Sequence, residues 1–453
     1  MRFSNLFATS ALLSTSRQAC ISLLSNTTWK KYLVAIAAIS AVGGGASYAG
    51  TSVWDVVSPD ETTLTGLITA TTLNKTGSGV GIIAPSGTNA ISAAVVIQAG
   101  TLQLNAATAT AFGTANAAIP ITIYDGATLI PFLSGGMTLA NNIVIGSTSA
   151  TGNITGLGYT GSALGTTAYA VTLSGQISEP VSCTNILALG GGTVSTGANI
   201  ITLSGNNSGV SAPAHPLTGG ISVGGNTTLC IGGANAIPAT GSITLAATGA
   251  VLSATVTPAI SVPSVTLSAA GTVQAASGIT LTLGAITGST NTLAVGTSGN
   301  TGTVVLTGAN TTGAISVNYG TLQLGSAGTC TLASSQAISL AAATILALNT
   351  TGTPTFASPI TFTGNAVTIT AAVAATLSGA LTGSSTGGLT INGAAIVTLS
   401  GTQVGAFTTT VGGTAGLKIG AAANVGTGAI VIGAGTSFQA TGNTTITNAI
   451  TFG

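Results

Sequence analysis

The segment Ala94-Val95-Val96-Ile97-Gln98-Ala99-Gly100-Thr101-Leu102-Gln103-Leu104 decides how this chain is read, because it returns. Ile315-Ser316-Val317-Asn318-Tyr319-Gly320-Thr321-Leu322-Gln323-Leu324 keeps the same order of apolar run, glycine turn and Thr-Leu-Gln-Leu strand. Shorter echoes run from Ile221-Ser222-Val223-Gly224-Gly225 to Thr228-Leu229-Cys230-Ile231, and from Thr410-Val411-Gly412-Gly413 to Gly416-Leu417-Lys418-Ile419. Copies recur at intervals of roughly 90 to 130 residues, so each long unit holds several shorter ones. Within the units, Ile121-Thr122-Ile123, Ile243-Thr244-Leu245, Leu281-Thr282-Leu283 and Val367-Thr368-Ile369-Thr370 alternate at period two, as half-buried strands do. Clusters of Gly, Asn, Ser and Pro punctuate them about every 8 to 12 residues, which is turn chemistry.

A single rung of this kind cannot bury its own apolar face, so neighbours must cover it. Piling the rungs gives an all-β fold, a right-handed parallel β-helix, with alternate Val, Ile and Leu inward and Thr and Ser outward. Rungs of about 20 to 25 residues at ~4.8 Å spacing predict a rod on the order of 80 Å long. A β-sandwich array is the competing soluble architecture. A membrane barrel calls for strands of about ten residues and aromatic girdles, and neither is seen.

Composition supports the stack. Charged residues are 2% of 453, against about 25% in ordinary soluble proteins, while the hydrophobic fraction is 45%. Disordered chains pair low hydrophobicity with high charge, and this chain has neither. Four of the six basic residues, Arg2, Arg17, Lys30 and Lys31, precede residue 32, and beyond Glu179 only Lys418 carries a formal charge. Nucleic acid is thereby excluded as a partner, since phosphate neutralisation needs several Lys or Arg.

The N-terminus reads as an export signal. Lys30 and Lys31 precede the apolar run Tyr32–Ile39, and small residues follow up to Ser47-Tyr48-Ala49-Gly50. This order predicts a signal peptide with an extended N-terminal region over 1–49, cut between Ala49 and Gly50. The run is too short for a membrane span of about 20 apolar residues. Residues 50–74 then read as an N-terminal cap or linker and 75–453 as the repeat region. Of the cysteines, Cys183, Cys230 and Cys330 lie beyond the cut. They read first as small buried fillers, with a Cys183–Cys230 disulfide as the lesser reading.

The order of the pieces resembles the passenger-associated transport repeat, or autotransporter-associated β-strand repeat, of bacterial autotransporter passengers. The residues that carry it are Gly302-Thr303-Val304-Val305-Leu306-Thr307-Gly308-Ala309-Asn310-Thr311-Thr312-Gly313 with the Gly320–Gly325 strand. Three Leu-Ser-Gly strand ends add to it: Val171–Gly175, Ile201–Gly205 and Ala375–Gly379, the last followed by Val397–Gly401. A first copy opens at Lys75-Thr76-Gly77-Ser78-Gly79. The resemblance implies type V export to the cell surface, outer membrane or extracellular space, and an adhesin-like role toward a host or cell-surface receptor. It also implies an outer-membrane translocator barrel, which does not occur before Phe452-Gly453 and is expected downstream or on a separate chain.

Chemistry is sparse. Asp55, Asp60, Glu61, Asp125 and Glu179 are the acids beyond the cut, with no Arg there and one histidine, His215. A carbohydrate-active β-helix enzyme, such as a glycosidase, needs a positioned carboxylate pair. Asp60-Glu61 reads as a loop or cap, Tyr124-Asp125-Gly126 as a turn, and Pro213-Ala214-His215-Pro216 as an exposed loop. No phosphate loop, zinc motif or other cofactor signature is found. The sequence argues for a non-enzymatic passenger, with a secreted self-assembling structural protein as the alternative. Outward Thr-x-Thr runs are the kind used by ice-binding faces, but the spacing in sequence gives no regular long ladder.

Overall fold

The computed structural model describes residues 51–453 apart from short internal segments, the longest of them 155–169 and 191–198. The leader and its cut at Ala49 and Gly50 lie outside the described residues, as does Asp60. The described chain is an all-β parallel solenoid. Every strand-to-strand pairing among the described residues is parallel except one, Ile177–Pro180 with Ala214–Pro216.

Each coil lays short strands on up to three faces. An early coil places Ile143–Ile145 on face one, Thr151–Ile154 on face two and Ala170–Leu173 on face three, then returns to face one at Ile177–Pro180. A late coil repeats this with Ile345–Thr350, Thr355–Phe356, Ile360–Phe362 and again Val367–Ala371. Face three is the most continuous, with twelve strands from Met137–Leu139 to Gln403–Val404.

Alternation does the packing. In the stack Ile221, Ile243, Val265 and Ile286 each residue sits in register on the one before, and all point inward. Each such aliphatic side chain contributes about 1.5–3 kcal/mol by leaving water. β-branched residues fit the strands because their restricted χ1 costs little there. Trp54 takes the inward position directly before Lys75, so the early core meets an aromatic ring. Gly81 makes room for that ring, which lies 2.7 Å from where a Cβ would stand.

Face one is interrupted between Pro216 and Ile260. Its last early pairing is the antiparallel one, between strands ending in Pro180 and Pro216, and neither proline has an N–H for another rung. The face starts afresh inside two long strands that turn a corner. In Ile260–Leu267, Ile260 and Val262 point inward, the phase slips at Pro263-Ser264, and Val265 and Leu267 point inward again. Thr280–Gly288 does the same, with Leu281 and Leu283 before the corner and Ile286 after it. First halves found the new face one, and second halves continue face two. Coil length varies with what the corners absorb: successive rungs are 18 residues apart from Thr303 to Thr321, then 24 to Ile345, but 34 from Ile143 to Ile177.

Where ladders are broken, asparagines supply the missing partners. Asn207 Oδ1 accepts from the Ile177 amide at 2.7 Å, and its Nδ2 donates to the Ala236 carbonyl at 2.7 Å. Asn141 and Asn185 donate to the carbonyls of Ile119 and Ile145, both at 2.9 Å. Asn226 takes positive φ at a turn, as the sequence grammar expects, but Ala327, Ala343 and Ala366 do so too.

Candidate functional site

The acids that catalysis would call on are scattered. Asp55 and Asp125 are exposed, Asp125 at the turn its sequence suggests, with Gly126 at φ 70°. Glu61 is not in a loop: it opens the exposed strand Glu61–Leu64, which pairs with Val80–Ile83. His215 is not in a loop either. It lies in the strand Ala214–Pro216, in register opposite Glu179. Among the described residues, no three or more His, Cys, Asp or Glu side chains gather as metal ligands would.

Glu179 is fully buried and points inward one coil after Ile145. Its Oε2 accepts from the Asn185 amide at 2.5 Å, and Oε1 accepts from the amide and hydroxyl of Thr218 at 2.8 and 2.5 Å. The carboxylate thus serves backbone amides at the place where face one ends. Charge-assisted bonds of this kind are the strong ones, and they hold segments 39 residues apart. The nearby crevice lined by Ile177, Leu217, Ile221, Ile237 and Pro238 has room for about one water.

Lys75, whose sequence reading marked only the start of a repeat, is also fully buried and inward, between Trp54 and Ile97 in register. Its Nζ donates to the carbonyls of Thr76, Gly77 and Ala99 at 2.7, 2.8 and 3.1 Å. Burial pulls its pKa down to about 8, opposed in part by the charge of Asp55. The alternation of Leu73 with residue 75 was the available signal, but a lysine at an inward phase is discounted by any hydrophobicity rule.

The Cys183–Cys230 disulfide is not formed. Cys230 and Cys330 are buried, as fillers should be, and burial raises both thiols, Cys330 to about 11. On face three Cys230 belongs to a stripe whose register runs Thr202, Cys230, Ser253, Gln274. Gln274 donates to Ser253 Oγ at 3.2 Å and accepts from Thr297 Oγ1 at 2.5 Å. These groups bond one another and leave little for a ligand.

The outward surface is more ordered than its sequence. On the new face one the register runs Thr280, Thr303, Thr321, Ile345, Thr368, Thr390, Thr410, Val431, Thr451. All nine are β-branched, seven are threonine, and each except Thr451, whose strand is exposed throughout, lies beside a buried residue of its strand. The Thr-x-Thr pairs themselves make no regular ladder, as the sequence suggests, because the column two residues on runs Thr282, Val305, Gln323, Ala347, Thr370, Asn392; the long column is one residue wide. Unequal coils of 18 to 24 residues hide the column in the sequence, and the corners restore it in space. On face two Ser222, Thr244, Thr266, Thr287 and Thr311 form a second hydroxyl column, with Thr266 and Thr287 hydroxyls 3.2 Å apart. A scan against protein-family models, a search of curated proteins and a search of solved structures each found no match to this chain.

Proposed function

We propose that this chain is the exported passenger portion of a bacterial surface protein, a non-enzymatic rod that presents uncharged faces to a host or cell-surface receptor. The observation that carries the reading is the parallel stack itself, built of short rungs with outward hydroxyls and almost no charge. The secretory pattern ending at Ala49 and the repeat resemblance point the same way. Such a rod folds by adding rungs to a template, which suits a chain that emerges through a membrane end first. Its few acids are dispersed, and Glu179, the one buried among the described residues, is occupied by three donors.

Expression of the full chain in a Gram-negative host, with and without a co-expressed translocator barrel, tests this. The expected result is cleavage after Ala49, a mature N-terminus at Gly50, and barrel-dependent surface labelling. Retention of the uncut chain in the cytoplasm would defeat the proposal. Receptor binding is then read by adhesion of labelled mature protein to host and bacterial cells.

A further inference from the structure

We propose that the nine-rung column of the new face one pairs two copies of this chain, face against face about a two-fold axis. The inference does not depend on the passenger reading.

The occupant follows from the geometry of the column. Its rungs repeat at ~4.8 Å on any copy, so a second copy presents the same period and meets it rung against rung. Two-fold pairing uses one patch twice and closes after two chains. With rung five at the axis, Thr368 meets Thr368 of the second copy.

Area and charge permit it. Eight steps of ~4.8 Å by a strand width of about 13 Å, which takes in the neighbouring uncharged column Thr282, Val305, Gln323, Ala347, Thr370 and Asn392, give on the order of 500 Å² per copy. The pair then reaches ~1,000 Å², the lower edge of a specific interface, which predicts weak, reversible association. Proteins keep sheet surfaces apart with Lys and Glu, and the column has none. Threonine, valine and isoleucine held in a ladder have little rotamer freedom left to lose, so ordering them on contact costs little. Face two lacks the same uniformity, since its late column runs Thr376, Thr398, Lys418, Gln439 and brings in a charge.

Sedimentation velocity of the purified chain across a concentration series tests the pairing. The expected result is a monomer–dimer equilibrium that Thr368→Lys weakens at least tenfold, because two lysines then face each other at the axis. Thr361→Lys, at an exposed outward position on face three, should leave the equilibrium unchanged. Should Thr368→Lys fold poorly by circular dichroism, Thr368→Cys in a Cys183→Ser chain decides the same point: a short bifunctional thiol reagent should yield a cross-linked dimer, and Thr361→Cys in the same chain should not. Monomer at every concentration, or equal weakening by the face-three variant, overturns the proposal. A monomer that shapes ice crystals also overturns it, and would assign the column to the water lattice instead.

Discussion

Pro263 and Gly284 occupy equivalent corner positions in successive rungs, between the register pairs Val262–Leu283 and Ser264–Ala285. The Pro263 carbonyl oxygen lies well inside contact distance of any Cβ placed on Gly284. The corner that restores face one is thus closed by backbone against backbone, and only glycine fits. Gly284→Ala is expected to destabilise by about 3 kcal/mol, because the carbonyl cannot move without breaking the rung. Gly412→Ala, where a Cβ meets nothing within 4 Å and φ is not positive, should be neutral or slightly stabilising. Urea unfolding of both variants checks the contrast, and equal midpoints would remove the corner argument.

Glu179 stands in for a missing strand. Glu179→Ala leaves the Asn185 and Thr218 amides without their acceptor and is expected to cost on the order of 3 kcal/mol. The loss should be local. Hydrogen exchange should quicken at Asn185 and Thr218 in the variant while Leu346 and Ile369, far along the stack, keep their protection. Uniform acceleration would mean that Glu179 anchors the whole rod.

Lys75 makes stability depend on pH in a definite direction. Its folded pKa is about 8, below the ordinary 10.5, so between these values the unfolded chain binds more protons than the folded one. Stability from this group therefore rises as pH climbs from about 8 to about 10.5, and the cost of burying the charge is fully present below 8. The raised thiols of Cys230 and Cys330 act oppositely in alkali. The difference between the parent chain and Lys75→Met isolates the lysine: it should shift in favour of the parent as pH rises from 8 to 10.5. A flat difference would place the ammonium in solvent.

Thiol labelling reads the interior independently. In the folded chain Cys230 and Cys330 are buried and hard to ionise, whereas Cys183 is half-exposed. Alkylation at neutral pH should modify Cys183 at least tenfold faster, with peptide mapping as the measure. Comparable rates at all three would show that the coils around Cys230 and Cys330 open readily.

Period-two alternation in segments such as Ile243-Thr244-Leu245, glycine and asparagine turns, and the near absence of charge determined by themselves that this chain is a stack of β coils. These are local properties: a strand's inward and outward sides depend only on the parity of its own residues. Where Thr303 lies relative to Thr321 and Ile345 was decided by tertiary structure, because coils of 18 and 24 residues align only after the corners take up the difference. The inward turn of Lys75 and Glu179 was likewise settled there, since a charge is admitted to the core only where backbone carbonyls or amides converge on it.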